Sequence, residues 1–108
     1  MQFVLVHKAN GITPLEAMPF ILGTAKQLMA NPQAFVPGGK VIASYYAIAA
    51  QTIYCIWDVP NIEAFSDMLR NMSIVGWNTE VVPAESAEVA LPKLEKALQG
   101  LMAQTKGK

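Results

Sequence analysis

Residues 2–8 (QFVLVHK) form a short β-branched and aromatic run, too short for a helix and closed by the turn dipeptide Asn10-Gly11. They predict a first strand. Thr13-Pro14-Leu15-Glu16 reads as a helix start: a threonine N-cap, proline at the first helical position where its missing N–H is harmless, and glutamate three residues after the cap. Leu15, Met18, Ile21, Leu22, Ala25, Leu28 and Met29 recur at spacings of three and four, one apolar stripe ending before Asn31-Pro32. Pro19 lies past the first turn, so it is expected to kink the helix or split it at Met18.

After the turn Pro37-Gly38-Gly39, residues 40–47 (KVIASYYA) and 52–58 (TIYCIWD) are two β-rich runs that predict an antiparallel hairpin. Their link, residues 48–51, has no Gly, Asn or Asp to supply a positive φ, and the register is left open. Pro60-Asn61 stops the strand. With Asn61 as N-cap, Ile62, Phe65, Met68, Leu69 and Met72 mark a second amphipathic helix with Gly76 at its exit. Residues 77–82 (WNTEVV) predict a fourth strand ended by Pro83. Leu91, Leu94, Leu98 and Leu101 share one face of a third helix over about residues 90–102, with Pro92 suited to its first turn.

The order β-α-β-β-α-β plus a C-terminal helix is the split βαβ pattern, an α+β, ferredoxin-like domain with a four-stranded antiparallel sheet and two helices on one face. One domain fills residues 1–108. The other sheet face would ordinarily be polar, yet Phe3-Val4-Leu5-Val6 and Ile53-Tyr54-Cys55-Ile56-Trp57 are apolar at both parities. Two copies packing sheet against sheet, with the C-terminal helix bracing the partner, would cover it. Composition agrees: 53% of residues are hydrophobic and 15% charged, against roughly a half and a quarter in an average domain.

Charge and composition exclude several functions. Eight basic residues balance eight acidic ones, and no cluster exceeds the tail Lys106-Gly107-Lys108, so nothing steers the chain to nucleic acid. No apolar run approaches the ~20 residues that span a bilayer, and the start lacks a signal-peptide pattern, which makes a cytoplasmic location the expectation. Cys55 has no partner for an internal disulfide, and one histidine with one cysteine gives no zinc-type spacing. Neither a metal nor a cofactor is implied.

His7 is the only side chain that titrates near neutrality without perturbation, and its place near the end of the first strand makes it the acid/base candidate. A histidine simply bonded to backbone or water is the alternative. Tyr45, Tyr46, Tyr54, Trp57 and Trp77 supply enough amphipathic rings to line an apolar pocket, or else to pack a core or dimer interface. Tyr45 and Tyr46 must face opposite ways. Ser44 and Asn78 are candidate polar contacts. Cys55, mid-strand among apolar neighbours, is expected to be buried and inert. Gly38-Gly39 lacks the spacing of a phosphate loop.

Residues 57–65 (WDVPNIEAF) and 72–83 (MSIVGWNTEVVP), together with the order of elements, make the chain resemble the dimeric α+β barrel superfamily. That superfamily includes muconolactone isomerase, the antibiotic-biosynthesis monooxygenases and small uncharacterised families. The resemblance implies a homodimer with a site for a small apolar or aromatic acid, either a cofactor-independent isomerase or monooxygenase using His7, or a non-catalytic binding or structural module. A haem-degrading role would need a histidine on a helix, and the sole histidine is on a strand. The two-sided apolar strands predict a homodimer burying on the order of 2,000 Å²; light scattering at micromolar concentration should return twice the chain mass, and a monomer would contradict it.

Overall fold

The computed structural model describes residues 1–106; Gly107 and Lys108 of the basic tail lie outside them. Four strands, β1 (Gln2–Ala9), β2 (Lys40–Ala47), β3 (Thr52–Asp58) and β4 (Trp77–Ala84), form one antiparallel sheet in the order β2-β3-β1-β4. Helices α1 (Pro14–Ala30) and α2 (Ser66–Ile74) cross over between them, and α3 (Ala87–Lys106) follows. Each βαβ unit thus leaves a gap filled by a strand of the other, the α+β, ferredoxin-like arrangement that the order of elements predicts.

The register fixes which side chains share a face. Phe3 lies opposite Trp57 and Pro83, Leu5 opposite Cys55 and Val81, His7 opposite Ile53 and Thr79. Phe3, Leu5, His7, Ile53, Cys55 and Trp57 are all buried, and Ala17, Ile21 and Leu28 of α1 with Met68 and Met72 of α2 join the apolar ones in one core. Phe65 anchors it, with its ring edge-on to Phe3 at 5.6 Å and to Trp57 at 6.5 Å. The opposite face carries Val4, Val6 and Ile56 half-buried and Tyr45, Tyr54 and Val82 exposed, with Lys8, Asn78 and Glu80 at one end. Both parities are apolar, as expected, but only one is packed within the chain.

Local departures from the predicted elements have identifiable causes. Thr13 caps α1 through Glu16 N–H, but Pro19 neither ends nor splits the helix. The carbonyl it leaves without an N–H belongs to Leu15, which is exposed and can turn to water. The apolar stripe is also displaced: Ala17, Ile21 and Leu28 face the sheet, whereas Leu15, Met18, Leu22 and Met29 are exposed. Asn61 makes no side-chain cap; a 3₁₀ turn, Ile62–Phe65, precedes α2 instead. β4 runs through Pro83 because it is an edge strand, where a missing N–H costs no ladder bond. α3 starts earlier than expected, so that Pro92 lies inside it. In the β2–β3 link, Ile48–Ala50 form a 3₁₀ turn and Gln51 takes the positive φ of 50°.

Gly76, the exit of α2, has φ of 92°, and a Cβ there would sit 2.9 Å from Ile12 Cγ2. Its carbonyl accepts from Asn10 N–H at 2.7 Å, tying the β1 loop to the start of β4. Gly76→Ala should therefore cost at least the ~1–2 kcal/mol of a left-handed non-glycine residue, read as a lower midpoint in urea unfolding; an unchanged midpoint would contradict the strain.

Candidate functional site

A cavity of about 400 Å³ lies between the packed sheet face and the helices. Its floor is His7 on β1, Tyr46 on β2, and Ile53, Cys55 and Trp57 on β3; its walls are Phe20, Thr24 and Leu28 of α1 and Met68 and Met72 of α2. The exposed lining residues, Asp67 and Asn71 on α2, Val75 just after it, and Ala34 and Pro37 before β2, mark its mouth.

A β-bulge decides which tyrosine reaches this cavity. Val41 lies opposite Trp57 and Ala43 opposite Ile56, so Ile42 is an extra residue. The extra residue shifts the parity of the rest of β2. Ser44 and Tyr46, rather than Ala43 and Tyr45, therefore share the face of Val41 and the cavity, and Tyr45 is turned to the open face.

The candidates thus divide between two faces. His7, Tyr46 and Trp57 converge on the cavity. Trp77 is buried behind it, stacked at 5.2 Å on the wall residue Phe20. Tyr45, Tyr54 and Asn78 lie on the open face, where they cannot touch the same ligand. The helix residues Phe20, Thr24, Asp67 and Asn71 were not anticipated; the pairs Phe20/Thr24 and Asp67/Asn71 stand four apart, which puts each pair on one helix face.

His7 is not the partly exposed, freely titrating group that its chain position suggested. It sits in the middle of the sheet, 3% exposed, and its Nδ1 lies 2.6 Å from Thr79 Oγ1 on the neighbouring strand. Burial without a nearby anion lowers its pKa to about 4. At pH 7 the ring is neutral, held in orientation by Thr79, and it lines the cavity. Cys55 is buried, its Sγ 3.5 Å from Ser44 Oγ, and burial pushes the thiol pKa up, with Ser44 and the nearby Trp57 indole N–H opposing, the latter outside hydrogen-bond geometry. That makes it a weak nucleophile.

Among the described residues, four buried side-chain atoms lack a hydrogen-bond partner: the Tyr46 hydroxyl, the indole N–H groups of Trp57 and Trp77, and the Gln51 amide nitrogen. Tyr46 and Trp57 line the cavity; Trp77 and Gln51 do not. Burial raises the Tyr46 pKa; Ser44 is near enough to oppose that shift but not placed to bond the hydroxyl. No lysine or arginine lines the cavity. Its one charged lining residue, Asp67, lies at the mouth and pairs with Arg70 at 2.8 Å. Among the described residues no His/Cys/Asp/Glu group is arranged to hold a metal, and no helix is long and apolar enough to cross a membrane.

No protein-family model matches the chain, and no curated protein matches it. Among solved structures, the protein SCO4226 from Streptomyces coelicolor A3(2) is similar, with 22% identity over 80% of this chain and 100% of that one, at a TM-score of 0.47. The fold and the cavity together define an α+β protein with a pocket enclosed between sheet and helices.

Because His7 binds a proton more weakly folded than unfolded, its contribution is full above the unfolded value of 6.5 and is lost as pH falls toward the folded value of about 4. The chain should be about 2 kcal/mol less stable at pH 5 than at pH 7 from this group alone. Urea unfolding at the two pH values should show a loss that His7→Leu largely removes; a parent with equal stability at both would contradict the buried neutral ring.

Proposed function

We propose that the protein binds a small, neutral, largely aromatic molecule in the cavity between sheet and helices, through an oxygen that accepts hydrogen bonds. The observation that carries this reading is the pair of buried donors, Tyr46 O–H and Trp57 N–H, in an otherwise apolar lining. A buried donor without a partner costs about 1–3 kcal/mol, and a carbonyl, quinone or phenol oxygen would offset that cost on binding. Phe20, Phe35 and Leu28 give a flat ring apolar surface to pack on.

The charge of the lining argues for a neutral ligand in place of the acid that the resemblance implies. A carboxylate would have to shed its water without a cation to meet it, and it would pass Asp67 on the way in. A resident cofactor is not part of this reading.

One observation favours a catalytic second reading. His7 is neutral and oriented by Thr79, so if the Thr79 hydroxyl accepts from Nδ1–H, Nε2 presents a lone pair to a bound molecule. A base so weak suits a substrate whose C–H or O–H is already acidic, which is compatible with cofactor-independent isomerase or monooxygenase chemistry. Cys55 takes no part in it.

Thermal melts with a panel of neutral aromatic ketones, quinones and phenols, set against the matching carboxylates, test the binding reading. A ligand at 100 times its Kd adds about 2.7 kcal/mol, roughly 10 °C or more for a domain of this size. Neutral compounds should raise Tm and carboxylates should not. Tyr46→Phe should melt at or above the parent, because it removes an unpaired buried hydroxyl, yet bind about tenfold more weakly. A destabilised Tyr46→Phe with unchanged affinity would overturn the role given to that hydroxyl.

A further inference from the structure

The cavity carries polar groups of opposite kind at its floor and at its mouth. On the floor, the Tyr46 hydroxyl and the Trp57 indole N–H can each donate a hydrogen bond and have no protein partner. Apolar walls follow, with Phe20 and Leu28 on α1 and Met72 on α2. At the mouth stand Asp67 and Asn71, four residues apart and therefore neighbours on one side of α2. An amide can give or accept a hydrogen bond, so Asn71 does not discriminate between ligands. A carboxylate can only accept, so Asp67 does.

Asp67 has capacity to spare for a ligand. Its Oδ1 accepts from Arg70 Nη2 at 2.8 Å, but the two side chains are 70% and 68% exposed, and an ion pair so well solvated is weak. A carboxylate also offers more lone pairs than one donor uses. The guanidinium itself does not line the cavity, which leaves negative charge as the only charge that a ligand meets there.

We propose that Asp67 determines the specificity of this site by accepting a neutral O–H or N–H at the outer end of a ligand whose inner end is a carbonyl oxygen. This rests on the binding reading above and narrows its ligand class. Donors at the floor and a carboxylate at the mouth align a bound molecule one way, which is how charge arrangement confers selectivity more than affinity. A quinone or diketone, with acceptors at both ends, would turn lone pairs toward the carboxylate. A simple phenol has one oxygen and serves one end only. An aromatic ketone with a hydroxyl on its far side serves both, and about 400 Å³ of space, within the roughly 300–1,000 Å³ of small-molecule sites, admits a ring carrying a group at each end.

Calorimetric titration with three acetophenones of similar size tests the assignment. Their para groups are hydroxymethyl, which can donate, ethyl, its apolar counterpart, and acetyl, which can only accept. The parent should bind the hydroxymethyl compound about tenfold more tightly than the ethyl one, as a bond to a charged acceptor implies, and should not favour the acetyl compound. Asp67→Ala should bring the hydroxymethyl and ethyl affinities together, and Asp67→Lys, which puts a donor at the mouth, should move the preference to acetyl. Asp67 is exposed, so both variants should keep the parent's circular dichroism. Tyr46→Phe acts at the other end and should weaken all three compounds by a common factor. If the parent binds hydroxymethyl and ethyl compounds alike, or if the preference survives in Asp67→Ala or Asp67→Lys, the role of Asp67 is overturned while the binding reading stands. A Tyr46→Phe protein that loses the hydroxymethyl compound alone would overturn it too, by showing that the hydroxyl points inward. A parent that binds none of the three removes the binding reading and this assignment together.

Discussion

The parity of β1 is the constraint on which the rest depends. This strand lies at the centre of the sheet, paired on both sides, and its odd-numbered residues Phe3, Leu5 and His7 turn toward the helices. A slip of one residue would put Val4, Val6 and Lys8 there instead, burying an ammonium group in the core and expelling the ring that Phe65 packs against. The same parity carries His7 into the cavity floor and places it opposite Thr79. Core, cavity and the one imidazole therefore share a single register.

That register also explains how polar atoms come to lie in an apolar cavity. The sheet rows behind it hold Val81, Leu5, Cys55 and Ser44, then Thr79, His7, Ile53 and Tyr46. Each polar group has a different standing. His7 is tied to Thr79 and neutral, Cys55 meets Ser44, and the Tyr46 and Trp57 donors are left without a protein partner. Packed cores avoid unpaired donors. Of the four such atoms among the described residues, those of Trp77 and Gln51 lie away from the cavity, while those of Tyr46 and Trp57 belong to residues that border a space large enough for a small molecule.

Much of the fold was legible because strands and turns announce themselves locally: β-branched runs bounded by Asn-Gly, Pro-Gly and Pro-Asn, and a capping box at Thr13. What could not be read depended on tertiary facts. Which parity of β1 meets the helices is invisible when both are apolar. Tyr45 and Tyr46 were bound to face opposite ways, but the bulge at Ile42 that sends Tyr46 to the cavity has no signature in the sequence. The apolar residues of α1 look like one stripe because its core face and its exposed seam sit side by side on the helix, and only packing separates Ile21 from Leu22. His7 was legible as a candidate but not as a buried neutral ring, since burial depends on its neighbours across two strands.

The central claim, a ligand oxygen bonded to the unpaired donors of the cavity, is tested most directly by the indole N–H resonances of the two tryptophans during titration with a neutral aromatic ketone. Replacing Trp77 by Phe assigns them. The Trp57 resonance should move saturably to lower field as its N–H gains an acceptor, with Trp77, stacked behind Phe20, moving little. Ligand binding with the Trp57 resonance unmoved would contradict the account.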